Sequence, residues 1–341
     1  MGVTLWGRGG PRKQLQGSGP SVLGVAFFPS GDQVLTWGAR GHATVWDVRS
    51  GERLRELCHS QPVVCAGVFP TGGRVVTCGR DHLCAVWDVA SGAMLRVLIK
   101  EWPAEGVEVF PAGDRVLLWG AGQALVTDVA TGALLCSFDR HRGRIDVGRA
   151  FPDGRRVVTG GHSTLAAYVW GVSPCGEDTL HLGPLLSPIR DVAVLRGGAA
   201  VALSDELGSV TMWDTATGAF LWMVTEPSRW WPDSRFYNMA AFPSGERLAT
   251  WHSDHELGIW NVSSRRLLRR IASPRLDAGS VAISPDGGAV AMCSASGVTV
   301  WDPDSGELVA EARGEVGVSK MCFVAVGAGR VLHPLGISGT A

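Results

Sequence analysis

The sequence predicts an all-β protein built from repeated copies of one small four-stranded antiparallel sheet. Two recurring markers, and the punctuation between them, predict it. The first is a hydrophobic-Trp-Asp step running into a Ser/Thr-Gly turn: Val45-Trp46-Asp47 to Ser50-Gly51, Val86-Trp87-Asp88 to Ser91-Gly92, Met212-Trp213-Asp214 to Thr217-Gly218, and Val300-Trp301-Asp302 to Ser305-Gly306. A worn copy, Val126-Thr127-Asp128, ends at Thr131-Gly132. The second marker is a Phe-Pro-x-Gly turn at Phe28, Phe69, Phe110 and Phe151, each 41 residues from the last, continued by Leu195-Arg196-Gly197-Gly198, Phe242-Pro243-Ser244-Gly245 and Ser284-Pro285-Asp286-Gly287. Between the markers lie short runs rich in Val, Thr and aromatics, separated by Gly, Asp or Pro, and none is long enough for a helix.

In the second repeat the strands are expected at about 63–69, 74–78, 83–88 and 93–98, joined by turns at Pro70-Thr71-Gly72-Gly73, Gly79-Arg80-Asp81 and Ala90-Ser91-Gly92. Such a sheet cannot bury both faces alone, so copies must stack, and four strands in a period in the low forties predict a β-propeller. The expected internal blades are 22–57, 63–98, 107–138, 145–182, 189–224, 237–271 and 280–312. Thr4-Leu5-Trp6 stands 40 residues before Trp46 and reads as a third strand, followed by Arg12-Lys13-Gln14-Leu15-Gln16 as a fourth. At the far end 318–324 and 329–333 read as a first and second strand with no Trp-Asp pair after them. The ends complete each other, so a closing blade from 3–16 plus 316–335 makes eight, latched by non-local pairing that removes two open edges. Seven blades with frayed ends is the alternative count.

These residues resemble the WD-repeat (WD40) family, as a divergent member, over nearly the whole chain. His59, Thr77, Asp81 and Trp87 sit where that family places a structural His, Ser/Thr, Asp and Trp, and the resemblance implies a hydrogen-bonded chain within the blade. The fourth repeat keeps His141, Thr159 and Trp170 but has no aspartate in its 161–164 turn. Most other copies lack the histidine.

Composition narrows the function. A chain of 341 residues, 45% hydrophobic and 18% charged, with 46 glycines and 14 tryptophans, can bury a large core and needs many turns, which excludes disorder and collagen. A net charge of −1 supplies no global field for nucleic acid or an anionic membrane. No apolar run approaches the ~18 residues of a membrane span, and the N-terminus lacks an export signal, so a cytoplasmic location is expected. In that compartment the eight cysteines, with no C-x-x-C pair, read as buried free thiols, and the Asn261-Val262-Ser263 sequon carries no meaning.

No phosphate-binding loop, nucleophile elbow or complete dinucleotide fingerprint is present, so neither an enzyme nor a cofactor is expected. His252-Ser253-Asp254-His255 is the nearest approach to a metal motif, but zinc needs three or four converging ligands. A propeller enzyme is a competing reading: Asp214 to Trp222 also resembles the tryptophan-docking motif of eight-bladed quinoproteins, which bind a quinone with calcium. Arg265-Arg266-Leu267-Leu268-Arg269-Arg270 raises a third reading, an RNA-binding propeller, although on an outer strand such charges serve to keep an edge from pairing.

Binding is expected where the period stretches. Trp213 and Trp260 stand 47 residues apart, and the extra length falls around Arg229, Trp230, Trp231 and Arg235. The resemblance places this connection on the narrower propeller face. Trp and Arg are frequent interface anchors. Trp37, Trp119 and Trp251 end second strands on the same face and are either further contacts or wedges between blades. The expected function is a non-catalytic scaffold that binds a protein or peptide through that face.

Overall fold

Glycine and aspartate turns cut the chain into strands short enough to run back and forth within one sheet, and that sheet then repeats. The computed structural model describes residues 4–5, 13–15, 22–141, 143–161, 165–172, 179–224, 236–252, 256–272, 281–294, 297–313 and 335–336. Seven four-stranded antiparallel sheets follow one another, each with its strands in sequence order. Blade 1 runs from Val22–Phe27 to Arg53–Cys58, blade 2 from Val63–Val68 to Met94–Ile99, and blade 3 from Gly106–Val109 to Leu134–Phe138. Blade 4 runs from Val147–Ala150 to Thr179–Leu182, blade 5 from Ile189–Leu195 to Phe220–Val224, blade 6 from Phe236–Ala241 to Arg266–Ala272, and blade 7 from Val281–Ile283 to Leu308–Arg313. The fold is all-β and consistent with a propeller.

Consecutive blades stack through their first strands, which lie side by side from blade 1 to blade 7. Each junction holds its own apolar cluster, for example Phe69, Val76 and Val86 of blade 2 against Val116, Leu118 and Leu125 of blade 3. Burial from both sides explains why second and third strands read as continuous apolar runs: every residue from Val75 to Gly79 is buried. Fourth strands face water on one side and alternate less strictly. Phe28, Phe69, Phe110 and Phe151 of the Phe-Pro-x-Gly turns are buried to 2% exposure or less. Each such ring contributes roughly 1.5–3 kcal/mol by leaving water.

An eighth, three-stranded sheet joins the two ends. Thr4–Leu5 pairs with Lys13–Gln14 on one side and with Leu335–Gly336 on the other. Leu15, 1% exposed, packs with Val34 and Trp46 of blade 1. The runs 318–324 and 329–333, expected as the first and second strands here, lie outside the described residues. The complete four-stranded blades among the described residues thus number seven, matching the seven internal blades expected, and they are accompanied by a three-stranded sheet shared between the ends.

Antiparallel order fixes which loops share an end of the molecule. Turns joining first to second and third to fourth strands lie at one end. Turns joining second to third strands, with the connections between blades, lie at the other.

Candidate functional site

In blade 2 the expected polar chain is present. Trp87 Nε1 donates to Thr77 Oγ1 at 2.7 Å, Thr77 Oγ1 lies 2.7 Å from His59 Nε2, and His59 Nδ1 lies 3.1 Å from both Asp81 carboxylate oxygens. A hydroxyl that accepts from the indole keeps its own proton for Nε2, so the imidazole carries hydrogen on Nδ1 and donates it to Asp81. Burial works against the Asp81 charge, but the hydrogen bond from His59, with the backbone N–H groups of Ser60 and Leu83, outweighs it and holds the pKa below the ordinary carboxylate value. A Cβ on Gly79 would stand 2.3 Å from Asp81 Oδ1 and 2.6 Å from His59 Nδ1, so the close approach needs glycine. Every member is satisfied from within the blade, which makes this network structural.

Blade 4 keeps part of it. Thr159 Oγ1 accepts from Trp170 Nε1 at 2.7 Å and meets His141 Nε2 at 2.7 Å, while His141 Nδ1 has no hydrogen-bond partner among the described residues. Burial pushes the His141 pKa down to about 4, and Tyr168 packs edge-on against the ring at 4.8 Å.

The tryptophan acceptor moves when its usual partner is missing. Trp46 and Trp260 donate across to Thr36 and Thr250, as Trp87 does to Thr77. Leu203 and Met292 occupy that second-strand position in blades 5 and 7, and there Trp213 and Trp301 donate to Thr211 and Thr299, two residues back on their own strand. Blade 3 has lost both members: Leu118 replaces the threonine, Thr127 replaces the tryptophan, and the buried Thr127 hydroxyl is left unpartnered among the described residues.

The three second-strand tryptophans are placed as follows. Trp119 is 7% and Trp251 3% exposed, and Trp37 is half-buried. Trp37 pairs across the sheet with Gly24 and Trp119 with Gly106, and in both cases a Cβ on the glycine would stand 2.1 Å from the indole. Trp119 also lies over Gly148 of blade 4, where a Cβ would come within 2.8 Å. The Trp37 and Trp119 rings fill the space that glycine leaves, and Trp119 does so between two blades. Arg229, Trp230, Trp231 and Arg235 lie outside the described residues, as do residues 253–255 of the His252 turn and residues 162–164. Among the described residues no group of three or more His, Cys, Asp or Glu is arranged to hold a metal.

Two sets of arginines that the repeat pattern did not single out tie the blades together. Arg74, Arg115, Arg156 and Arg247 lie over the rings of Phe69, Phe110, Phe151 and Phe242, with guanidinium carbons 4.2–4.7 Å from the ring centroids. From there Arg156 reaches the Gly198 carbonyl and the Thr215 hydroxyl of blade 5, and Arg247 reaches Asp304 of blade 7. On fourth strands, Arg55, Arg96 and Arg269 donate to the Ala90, Thr131 and Asp304 carbonyls of the next blade's turn. Arg270 pairs with Glu256, so the basic run of blade 6 is partly spent within the fold. On the inner strands Arg149 of blade 4 meets Glu108 of blade 3 and Asp191 of blade 5, and Glu108 also accepts the Ala150 N–H at 2.9 Å. Surrounding protein raises the Glu108 and Asp191 pKa values above the ordinary range, more than Arg149 lowers them.

The end that carries the turns between second and third strands holds an apolar cluster. Leu165, Leu186 and Leu207 are 50%, 84% and 53% exposed. They sit on three neighbouring loops of blades 4 and 5, held together by Leu185 N to Leu165 O at 2.7 Å, Leu207 N to Ser187 Oγ at 3.1 Å and Glu206 N to Pro188 O at 2.9 Å. Residues far apart in sequence thus present one surface.

No helix among the described residues is long and apolar enough to cross a membrane. A comparison with curated proteins found no match. Residues 51–88 match the family model described as WD domain, G-beta repeat. That stretch spans the last strand of blade 1 and the first three of blade 2, including the complete His59-Thr77-Asp81-Trp87 chain. The unit it covers is the one that the seven four-stranded sheets repeat: residues 51–88 are similar to a WD repeat, and the seven sheets are consistent with a WD-repeat propeller.

Proposed function

We propose that the protein is a non-catalytic scaffold that docks a protein or peptide partner on the end carrying the turns between second and third strands. WD-repeat propellers generally mediate protein interactions and are typically non-enzymatic. The observation that carries the reading is the cluster of Leu165, Leu186 and Leu207, three leucines half or more exposed on loops fixed by backbone hydrogen bonds. Contiguous exposed apolar surface costs solubility and marks a place that another molecule covers. A rigid ring of stacked blades holds such loops in place without needing chemistry of its own. Arg190, exposed beside the cluster, adds a cation for an acidic neighbour of the docking segment. The segment containing Arg229, Trp230, Trp231 and Arg235 joins blade 5 to blade 6 and is proposed as a second contact, and Trp37 as a further one. A cytoplasmic location fits this role.

Affinity capture with wild type, with Leu186→Asp/Leu207→Asp and with Trp230→Ala/Trp231→Ala tests the reading. Partners held by wild type are expected to be lost from the first variant at unchanged circular dichroism. An identical set of captured proteins from all three folded chains would overturn it.

A further inference from the structure

Blade 4 departs from its neighbours at the opposite end of the molecule, and a cavity of about 640 Å³ opens there between blades 4 and 5. In blades 1, 3 and 6 the residue whose carbonyl receives the N–H following the third strand is acidic: Val48 N bonds Asp32 O, Val129 N bonds Asp114 O and Val262 N bonds Glu246 O. In blade 4 the same bond runs from Val172 N to Arg155 O at 2.7 Å. The residue just before is also altered. Asp47, Asp88, Asp128, Asp214 and Asp302 each accept the N–H three residues on, whereas blade 4 has Gly171 at that place. The first position is acidic in three blades and is Gly73 in blade 2 and Ala199 in blade 5, and the second is aspartate in five blades; in blade 4 the pair is an arginine and a glycine, with no carboxylate. The outer strand changes too: Leu180 packs against Gly218 of the next turn, where blades 1, 2 and 6 send an arginine to a carbonyl.

The remaining charges leave Arg155 uncompensated. Arg156 is committed to Phe151, Asp153, Gly198 and Thr215. Asp153 spends its carboxylate on Arg156 and on the Arg155 backbone N–H. The exposed Arg155 guanidinium has no hydrogen bond or ion pair among the described residues. Behind it the wall is mixed: Val169, buried, and Val172 and Leu180, half-buried, lie beside Thr179 and Thr215. A concave site of a few hundred Å³ with an apolar patch and several placed polar groups has the size of a small-ligand pocket.

We propose that this cavity binds a small organic anion, its acidic group held by Arg155 and its apolar body lying against Val169, Val172 and Leu180. The site is independent of the docking end and survives if that reading fails. Saturation-transfer NMR titrations with hexanoate, hexyl phosphate and hexan-1-ol test it, with inorganic phosphate as competitor. At least one hexyl anion is expected to bind saturably, about tenfold tighter than hexan-1-ol, a difference of about 1.4 kcal/mol. Inorganic phosphate, lacking the apolar body, is expected to compete only weakly, and the tighter of the two anions assigns the acidic group as carboxylate or phosphate. Arg155→Ala should bring the anions down to the alcohol's affinity. Gly171→Asp, which restores the carboxylate of the other blades, should weaken them similarly. Absence of saturable binding, equal affinity for anion and alcohol, or undiminished anion binding in folded Arg155→Ala would overturn the proposal.

Discussion

Arg156 lies over the ring of Phe151, its guanidinium carbon 4.4 Å from the ring centroid, and from that position its Nη2 reaches the Gly198 carbonyl of the next blade at 3.1 Å. The ring fixes the plane of the guanidinium, and the fixed plane aims its donors. Lysine offers neither the flat face nor the fork.

Arg156→Lys is therefore expected to destabilise the protein nearly as much as Arg156→Ala, by about 2 kcal/mol, from the lost stack and the charge-assisted bonds. Arg96→Lys, at an exposed side chain with one carbonyl bond, is expected to cost less than about 1 kcal/mol. Urea-unfolding midpoints compare the two. Equal costs at both positions would show that the stack contributes nothing.

The fold class was legible because both markers are structural: Trp-Asp and Phe-Pro-x-Gly recur at the blade period and cannot be read as anything but a stacked repeat. The strands of the second repeat begin and end within about a residue of expectation, since Gly and Asp mark its turns so sharply. Arg74, Arg115, Arg156 and Arg247 stand five residues after their phenylalanines, a regularity plain in the sequence. It passed unnoticed because an arginine at a strand start reads as solvent-facing. Leu165, Leu186 and Leu207 were beyond reach for a different reason: each is a lone apolar residue in a loop, and only blade stacking brings them together. Gly171 shows the reverse case, a substitution visible as a missing Asp whose effect on charge appears only beside Arg155.

Thr77 sits between two partners, so its loss strands both. Thr77→Val leaves the Trp87 Nε1 donor and the His59 Nε2 acceptor buried and unpaired, and about 3 kcal/mol of destabilisation is expected. Thr211→Val removes the acceptor of Trp213 alone, and about half that cost is expected. Equilibrium unfolding followed by tryptophan fluorescence measures both. Equal losses would mean that the His59 arm of the network is idle.

Trp119 is expected to act through packing. Trp119→Ala should cost about 3–5 kcal/mol, as other large-to-small changes of buried aromatics do. Gly106→Ala forces a methyl into a ring 2.1 Å away and should cost about 1–3 kcal/mol. Leu186→Ala, at an 84% exposed side chain, should stay within about 0.5 kcal/mol of wild type. Thermal unfolding of the three variants checks the order. A harmless Trp119→Ala would remove the wedge between blades 3 and 4 and return that ring to the candidates for partner contact.

His141 sets an acid limit. In the unfolded chain a histidine titrates near 6.5. In the fold burial holds His141 at about 4, so between these values the unfolded state binds more protons. Stability therefore rises with pH across that window and is lost as pH falls from about 6.5 toward 4. The full shift corresponds to about 3 kcal/mol, nearly all of it spent by pH 4. His141→Gln cannot take up that proton, while its amide oxygen, at the reach of Nε2, can still accept from Thr159. The variant is expected to start less stable at pH 7.5 and to lose less stability on acidification, so that the two urea midpoints converge toward pH 4.5. Parallel curves for wild type and His141→Gln would show that the imidazole charges freely in the folded protein, and with it that blade 4 has an unseen partner for Nδ1.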